Sequence, residues 1–240
     1  MSTDPVVQQW GADGLVFTEA VRGGPLAWRV GQSHLEGDAL GPVRHAHDNA
    51  AEYYYMFSGS AHVETGEEQF VLQEGELGLI PPDAPHNFFG PASDKDACLF
   101  CIVGPNYAAN KWRIGDFLPG TESLRMAVAR PFDDGELPQA GTLSAEAIAL
   151  GSSDEPRAVT PEAAELLYLV LDGELDISLA MGLHGTLRRG TYLHVRDGVR
   201  HELSTSSTCK VLRMSCGFAV WEGVPLGEAS PTPAAVPGDN

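Results

Sequence analysis

Positive charge is scarce in this chain. Fifteen Lys and Arg stand against 33 Asp and Glu in 240 residues, a formal net charge of -18. A polyanion or an anionic lipid surface needs a basic patch to dock on, so nucleic acid and membrane are excluded as expected partners. No run of 18 apolar residues occurs, which leaves no candidate membrane-spanning helix. The first residues, Met1-Ser2-Thr3-Asp4-Pro5, have neither a basic stretch nor an apolar core, so no secretory signal is expected and the expected location is cytoplasmic. Cysteine is sparse, at four residues. Cys98 and Cys101 have a spacing that could suit zinc or redox chemistry. They lie in Ala97-Cys98-Leu99-Phe100-Cys101-Ile102-Val103, which reads as a buried strand. Three residues apart on a strand, the two thiols face opposite sides, so small apolar core residues are the better reading.

Glycine and proline are plentiful instead, at 27 and 17 residues, and 43% of the chain is hydrophobic. That composition fits an all-β protein with frequent turns. The most informative stretch runs from His45 to His86. It reads His45-x-His47, four residues, Glu52, six residues, Gly59, and later Gly75, five residues, Pro81, and then His86. Residues i and i+2 of a strand share a face, so His45 and His47 aim the same way. Glu52 opens an aromatic strand, Glu52-Tyr53-Tyr54-Tyr55-Met56-Phe57, and His86 opens another after a proline-rich turn. Three neutral imidazoles and one carboxylate suit a divalent first-row metal. Burying them without an ion would be costly.

These two segments resemble the first and second motifs of the cupin family. The second departs from the family pattern at Asp83, where glycine is usual. The resemblance implies a metal site made of His45, His47, Glu52 and His86.

A second copy follows. Gly59 and Gly173 are 114 residues apart, and Gly75 and Gly190, like His86 and His201, are 115 apart. The chain is therefore identified as a bicupin: all-β, two tandem jelly-roll β-barrels. The expected division is 1–118 for the front cupin domain, 119–224 for a degenerate rear one, and 225–240 for a flexible or wrapping tail. In the rear copy His45 maps to Val159, His47 to Pro161 and Glu52 to Leu166. Glu165 is one residue off, and only His201 survives. One imidazole cannot hold a catalytic ion, so the rear barrel is expected to be structural. A lesser alternative is a metal-free pocket formed by His201, His194 and Arg196.

Residues 1–14 read as an irregular arm. Leu26–Val30 reads as a strand with Arg29 facing away from Trp28. Residues 106–140 read as a linker with short helices or turns, or as a lid. His62 reads as a surface residue, and Arg44 as pointing away from His45. Tyr54 and Met56 share the face of Glu52, and Phe88 shares that of His86, giving a partly aromatic substrate pocket. Glu52 and Tyr54 are the candidate catalytic residues, Glu52 as a base and Tyr54 as a hydrogen-bond donor.

The resemblance implies a metal-dependent enzyme on a small molecule. A dioxygenase using dioxygen on an enolisable or aromatic substrate is the first expectation. A non-redox isomerase, dehydratase, decarboxylase or lyase is the second, and a binding protein the third. Iron(II) is the first expected cofactor, with nickel, manganese, cobalt, copper or zinc as alternatives. A monomer or homodimer is expected.

Overall fold

The computed structural model describes residues 6–9, 29–35, 43–48, 50–92, 97–104, 112–162, 164–180, 182 and 184–217. In chain order the strands are β1 (Val6–Gln9), β2 (Arg29–Leu35), β3 (Ala46–His47), β4 (Ala51–Ser58), β5 (Ser60–Thr65), β6 (Glu68–Gln73), β7 (Leu77–Ile80), β8 (His86–Pro91), β9 (Ala97–Gly104) and β10 (Trp112–Arg113). They continue with β11 (Ala127–Ala129), β12 (Leu143–Leu150), β13 (Arg157–Val159), β14 (Ala164–Asp172), β15 (Glu174–Leu179), β16 (His184–Arg188), β17 (Thr191–Val195), β18 (His201–Ser204) and β19 (Cys209–Gly217). The described residues contain no α-helix, only a 3-10 turn at Thr121–Ser123. None of their helices is long and apolar enough to cross a membrane.

The architecture is all-β and bicupin. The front half stacks a sheet ordered β11-β7-β4-β9-β2 on a smaller one ordered β6-β5-β8. The rear half repeats the plan with β1-β17-β14-β19-β12 and β13-β18-β15-β16. The repeat extends to backbone geometry. Gly59 and Gly173 have φ of 73° and 75°, and Gly75 and Gly190 have φ of 82° and 81°. Those left-handed turns lie where the chain passes from one sheet of a half to the other, and a side chain there would be strained.

The tyrosine-rich β4 explains how the halves join. Its residues Ala51 to Met56 are all buried, so both faces pack, and the strand reads as a nearly continuous apolar run. Tyr54 and Met56 face the interior of the front barrel with Val63, Leu72, Ile80 and Phe88. Tyr53 and Tyr55 face the other way, into a core shared with Leu167, Leu169, Tyr192, Leu212 and Met214 of the rear half. The two large sheets thus pack face to face. The rings of Phe100 and Tyr192 meet edge-on across this seam, 5.7 Å between centroids. Each large apolar side chain buried there contributes about 1.5–3 kcal/mol, so the seam resembles a domain core more than a surface contact.

The halves also exchange strands. Val6–Gln9, within the stretch read from sequence as an irregular arm, pairs with β17 of the rear sheet, Val6 opposite His194. Ala127–Ala129, in the stretch read as linker, pairs with β7 of the front sheet. Neither pairing follows from local sequence, because each is set by a sheet edge far along the chain. The stretch Leu26–Trp28, residues 106–111 and the tail from 218 onward lie outside the described residues, as does the side chain of Arg29.

Candidate metal centre

His45, Ala46 and His47 enter the front barrel along one edge. His45 and His86 exchange both backbone hydrogen bonds, at 2.9 and 2.7 Å, which fixes the start of β8 against the start of β3. Glu52 lies second in β4, opposite Ile80 of β7 and Val103 of β9. These pairings bring His45, His47, Glu52 and His86 together. Their ligand atoms all lie within 4.8 Å of one another, and all four residues are buried. Among the described residues this is the one group of three or more His, Cys, Asp or Glu side chains placed to hold an ion.

The electrostatics fit a cation. Oε2 of Glu52 lies 3.0 Å from Nε2 of His47 and 2.8 Å from Nε2 of His86. Burial pushes the Glu52 carboxyl up, but the imidazoles of His47 and His86 outweigh it and hold the group well below the usual carboxylate range. Burial, helped by nearby His86, lowers His45 to about 4, so its ring is neutral at pH 7. Nδ1 of His45 donates to the Val43 carbonyl and Nδ1 of His86 to the Ala84 carbonyl, both at 2.8 Å. A carbonyl only accepts, so each Nδ1 carries hydrogen and each Nε2 is left facing the cluster. Backbone carbonyls commonly orient metal-binding histidines this way. One carboxylate and three imidazoles, dry and converging, form a donor set that could hold a divalent ion.

The surrounding residues divide clearly. Tyr54 packs its ring 6.3 Å from that of His86 and 5.2 Å from that of Phe88, and Met56 is fully buried behind them. Arg44 turns outward to pair with Glu64 at 3.2 Å. His62 is half-buried on β5 and outside the cluster. The sequence predicts Cys101 to be a small apolar core residue. It is buried, but its Sγ lies 2.5 Å from Oε1 of Glu52. The signal was present only as pairing, because Cys101 sits opposite Tyr54, two residues along from the partner of Glu52.

β10 pairs antiparallel with the ligand strand β3, Trp112 opposite His47 and Arg113 opposite Ala46. Arg113 reaches Asp48 at 3.3 Å and Asp83 at 4.0 Å. Asp83, where the motif usually has glycine, adopts φ of 63° and donates its N–H to the His47 carbonyl at 2.9 Å.

In the rear barrel His201 points inward while His194 lies on the opposite face of its sheet. There His194 pairs with Glu165 at 3.0 Å. The alternating pleat separates them, so the expected pocket of His201, His194 and Arg196 does not form. A cleft of about 310 Å³ beside His201 is lined instead by Ser178, His184, Arg200 and Glu202.

Residues 32–103 match the model of the cupin domain family. No curated protein is similar to the chain in sequence. Solved structures are similar in fold. A salicylate 1,2-dioxygenase variant from Pseudoaminobacter salicylatoxidans in complex with gentisate is 13% identical with a TM-score of 0.68, over 89% of this chain and 82% of that one. The salicylate 1,2-dioxygenase of the same organism is 14% identical with a TM-score of 0.64, over 80% and 71%. The protein Ylba from E. coli is 13% identical with a TM-score of 0.58, over 80% and 78%.

Proposed function

From the match of residues 32–103 to the cupin domain family and the likeness of the chain to bicupin folds, we propose a metal-dependent dioxygenase for a small enolisable or aromatic organic substrate. The observation that carries the reading is the buried cluster of His45, His47, Glu52 and His86 with ligand atoms inside 4.8 Å. These four residues would hold one divalent ion, iron(II) before nickel, manganese, cobalt, copper or zinc. Likeness of fold to salicylate 1,2-dioxygenases supports the oxygenase choice by analogy of fold.

When bound, the ion supplies Lewis-acid stabilisation of an enolate and a place for dioxygen beside it. The protein's own residues do the rest. His45 and His86, each oriented by a backbone carbonyl, present nitrogen lone pairs without cost of reorganisation at the moment of reaction. Glu52 would offset one unit of the ion's charge and, on detaching from it, could act as the base toward the substrate. Tyr54 faces the same interior and can donate its phenolic hydrogen to a substrate oxygen. Phe88 and Met56 form the apolar wall that excludes water and suits a planar ring. The rear barrel, joined through the shared tyrosine-lined core, acts as the scaffold. The chain divides near residue 118 into a metal-bearing and a supporting domain, stitched by the exchange of β1 and β11.

The test is anaerobic purification with elemental analysis, then oxygen-electrode assays over a panel of enolisable and catecholic compounds. About one ion per chain with oxygen uptake matched to substrate loss is expected. Turnover without oxygen would instead establish the isomerase or lyase chemistry, and absence of any bound metal would reject both.

A further inference from the structure

The cluster contains a sulfur contact that the four-ligand reading does not use. Glu52 divides its two oxygens: Oε2 faces His47 and His86, and Oε1 lies 2.5 Å from Sγ of Cys101. Cys101 and Glu52 are each 3% exposed, so little water competes for Oε1. Cys101 is carried on β9, which is hydrogen-bonded along its length to β4, so the thiol and the carboxylate are fixed on adjoining strands at a diagonal position. A carboxylate only accepts and a thiol can donate, so the S–H points at Oε1.

Building on the metal reading above, we propose that Cys101 is a positioning residue: its thiol engages Oε1 of Glu52 so that the carboxylate meets the ion through Oε2 alone. An unheld carboxylate on a short side chain can swing to offer both oxygens, which changes the ion's coordination number and occupies a position that substrate would otherwise take. Cys101 is not among the four residues whose ligand atoms converge, so it acts through Glu52 and not on the ion.

The experiment uses the full chain loaded with cobalt(II), comparing wild type, C101S and C101A. C101S keeps a donor, and C101A removes it. The C101A visible spectrum should weaken in intensity, as expected for a rise in coordination number, while C101S keeps the wild-type spectrum. The rate of cobalt release to a chelator should differ from wild type by roughly threefold or more in C101A, the size of one hydrogen bond, and return toward wild type in C101S. Circular dichroism of the metal-free proteins checks folding, and if C101A does not fold, C101V carries the same test. Identical spectra and release rates in all proteins would overturn the proposal. So would a sulfur-to-cobalt charge-transfer band in wild type that both variants lose, because the thiol would then be a ligand. A wild type that takes up no cobalt, zinc or iron overturns the metal reading itself, which a silent C101A in a loaded protein does not.

Discussion

The hydroxyl of Tyr168 lies 2.7 Å from Nε2 of His201 inside the rear barrel. Nδ1 of His201 donates to the Val199 carbonyl at 2.9 Å, so Nε2 accepts and Tyr168 donates. Tyr168 and His201 occupy the places of Tyr54 and His86 in the front barrel. Where the front barrel completes a polar cluster with a carboxylate, the rear has Leu166 in the place of Glu52, and a phenol closes off the remaining imidazole. This contact makes His201 a neutral core residue.

That neutrality sets a pH dependence. Burial lowers the pKa of His201 from 6.5 in the folded protein, with Arg213 adding to the effect. The unfolded chain therefore takes up the proton first as pH falls. The contribution of neutral His201 is fully present above pH 6.5 and is lost as pH drops below it toward the lowered folded value. Urea unfolding of wild type and H201Q at pH 7.5 and 5.5 should show a smaller loss between the two pH values in H201Q. Equal losses would remove His201 from the acid sensitivity.

The two barrels should differ in what they hold. H47A should lose metal on purification by far more than the roughly 10–100-fold in affinity that even an outer-shell change causes. H201A should retain metal near the wild-type level. Elemental analysis of the two proteins prepared side by side decides it, and equal depletion would contradict an inert rear barrel.

Turn glycines should separate by what surrounds them. A Cβ at Gly173, φ +75°, would sit 2.2 Å from the Thr208 carbonyl oxygen, whereas at Gly198, φ +74°, it meets nothing within 4 Å. G198A should cost about 1 kcal/mol, the left-handed strain alone. G173A adds a backbone collision and should cost roughly 3 kcal/mol or more. Chemical denaturation of both measures the difference, and comparable costs would mean that the loop at Thr208 yields readily.

Asp83 offers a gain. It adopts φ of 63° and stands near the like charge of Asp48. D83G removes both penalties and keeps the N–H that binds the His47 carbonyl, so it should stabilise by about 0.5–1 kcal/mol. A lower melting temperature would show that the approach of Arg113 outweighs the strain.

Much of this was legible because it rests on short-range rules. The i, i+2 spacing of His45 and His47, the strand opened by Glu52 and the turn before His86 place four ligand groups without knowledge of the rest. The rear copy was visible because its turn glycines recur at the same offset, and the left-handed backbone at those positions is what calls for glycine. What stayed hidden was set by pairing across long distances. Nothing near Cys101 says that Tyr54 lies opposite it, and nothing in Val6–Gln9 or Ala127–Ala129 names the edge each joins. His194 was misplaced for a simpler reason: its parity on β17 differs from that of Leu193 and Val195, and that parity alone sends it away from His201.

The partnership of Val6–Gln9 with Thr191–His194 has a consequence during synthesis. β1 is made well before β17, so a nascent chain carries an unmated edge while the residues between them are synthesised. Contacts so remote slow the final closure and leave an open rim exposed to neighbouring chains. Fragments cut near the middle would inherit that rim permanently, and their tendency to clump should exceed that of the intact polypeptide.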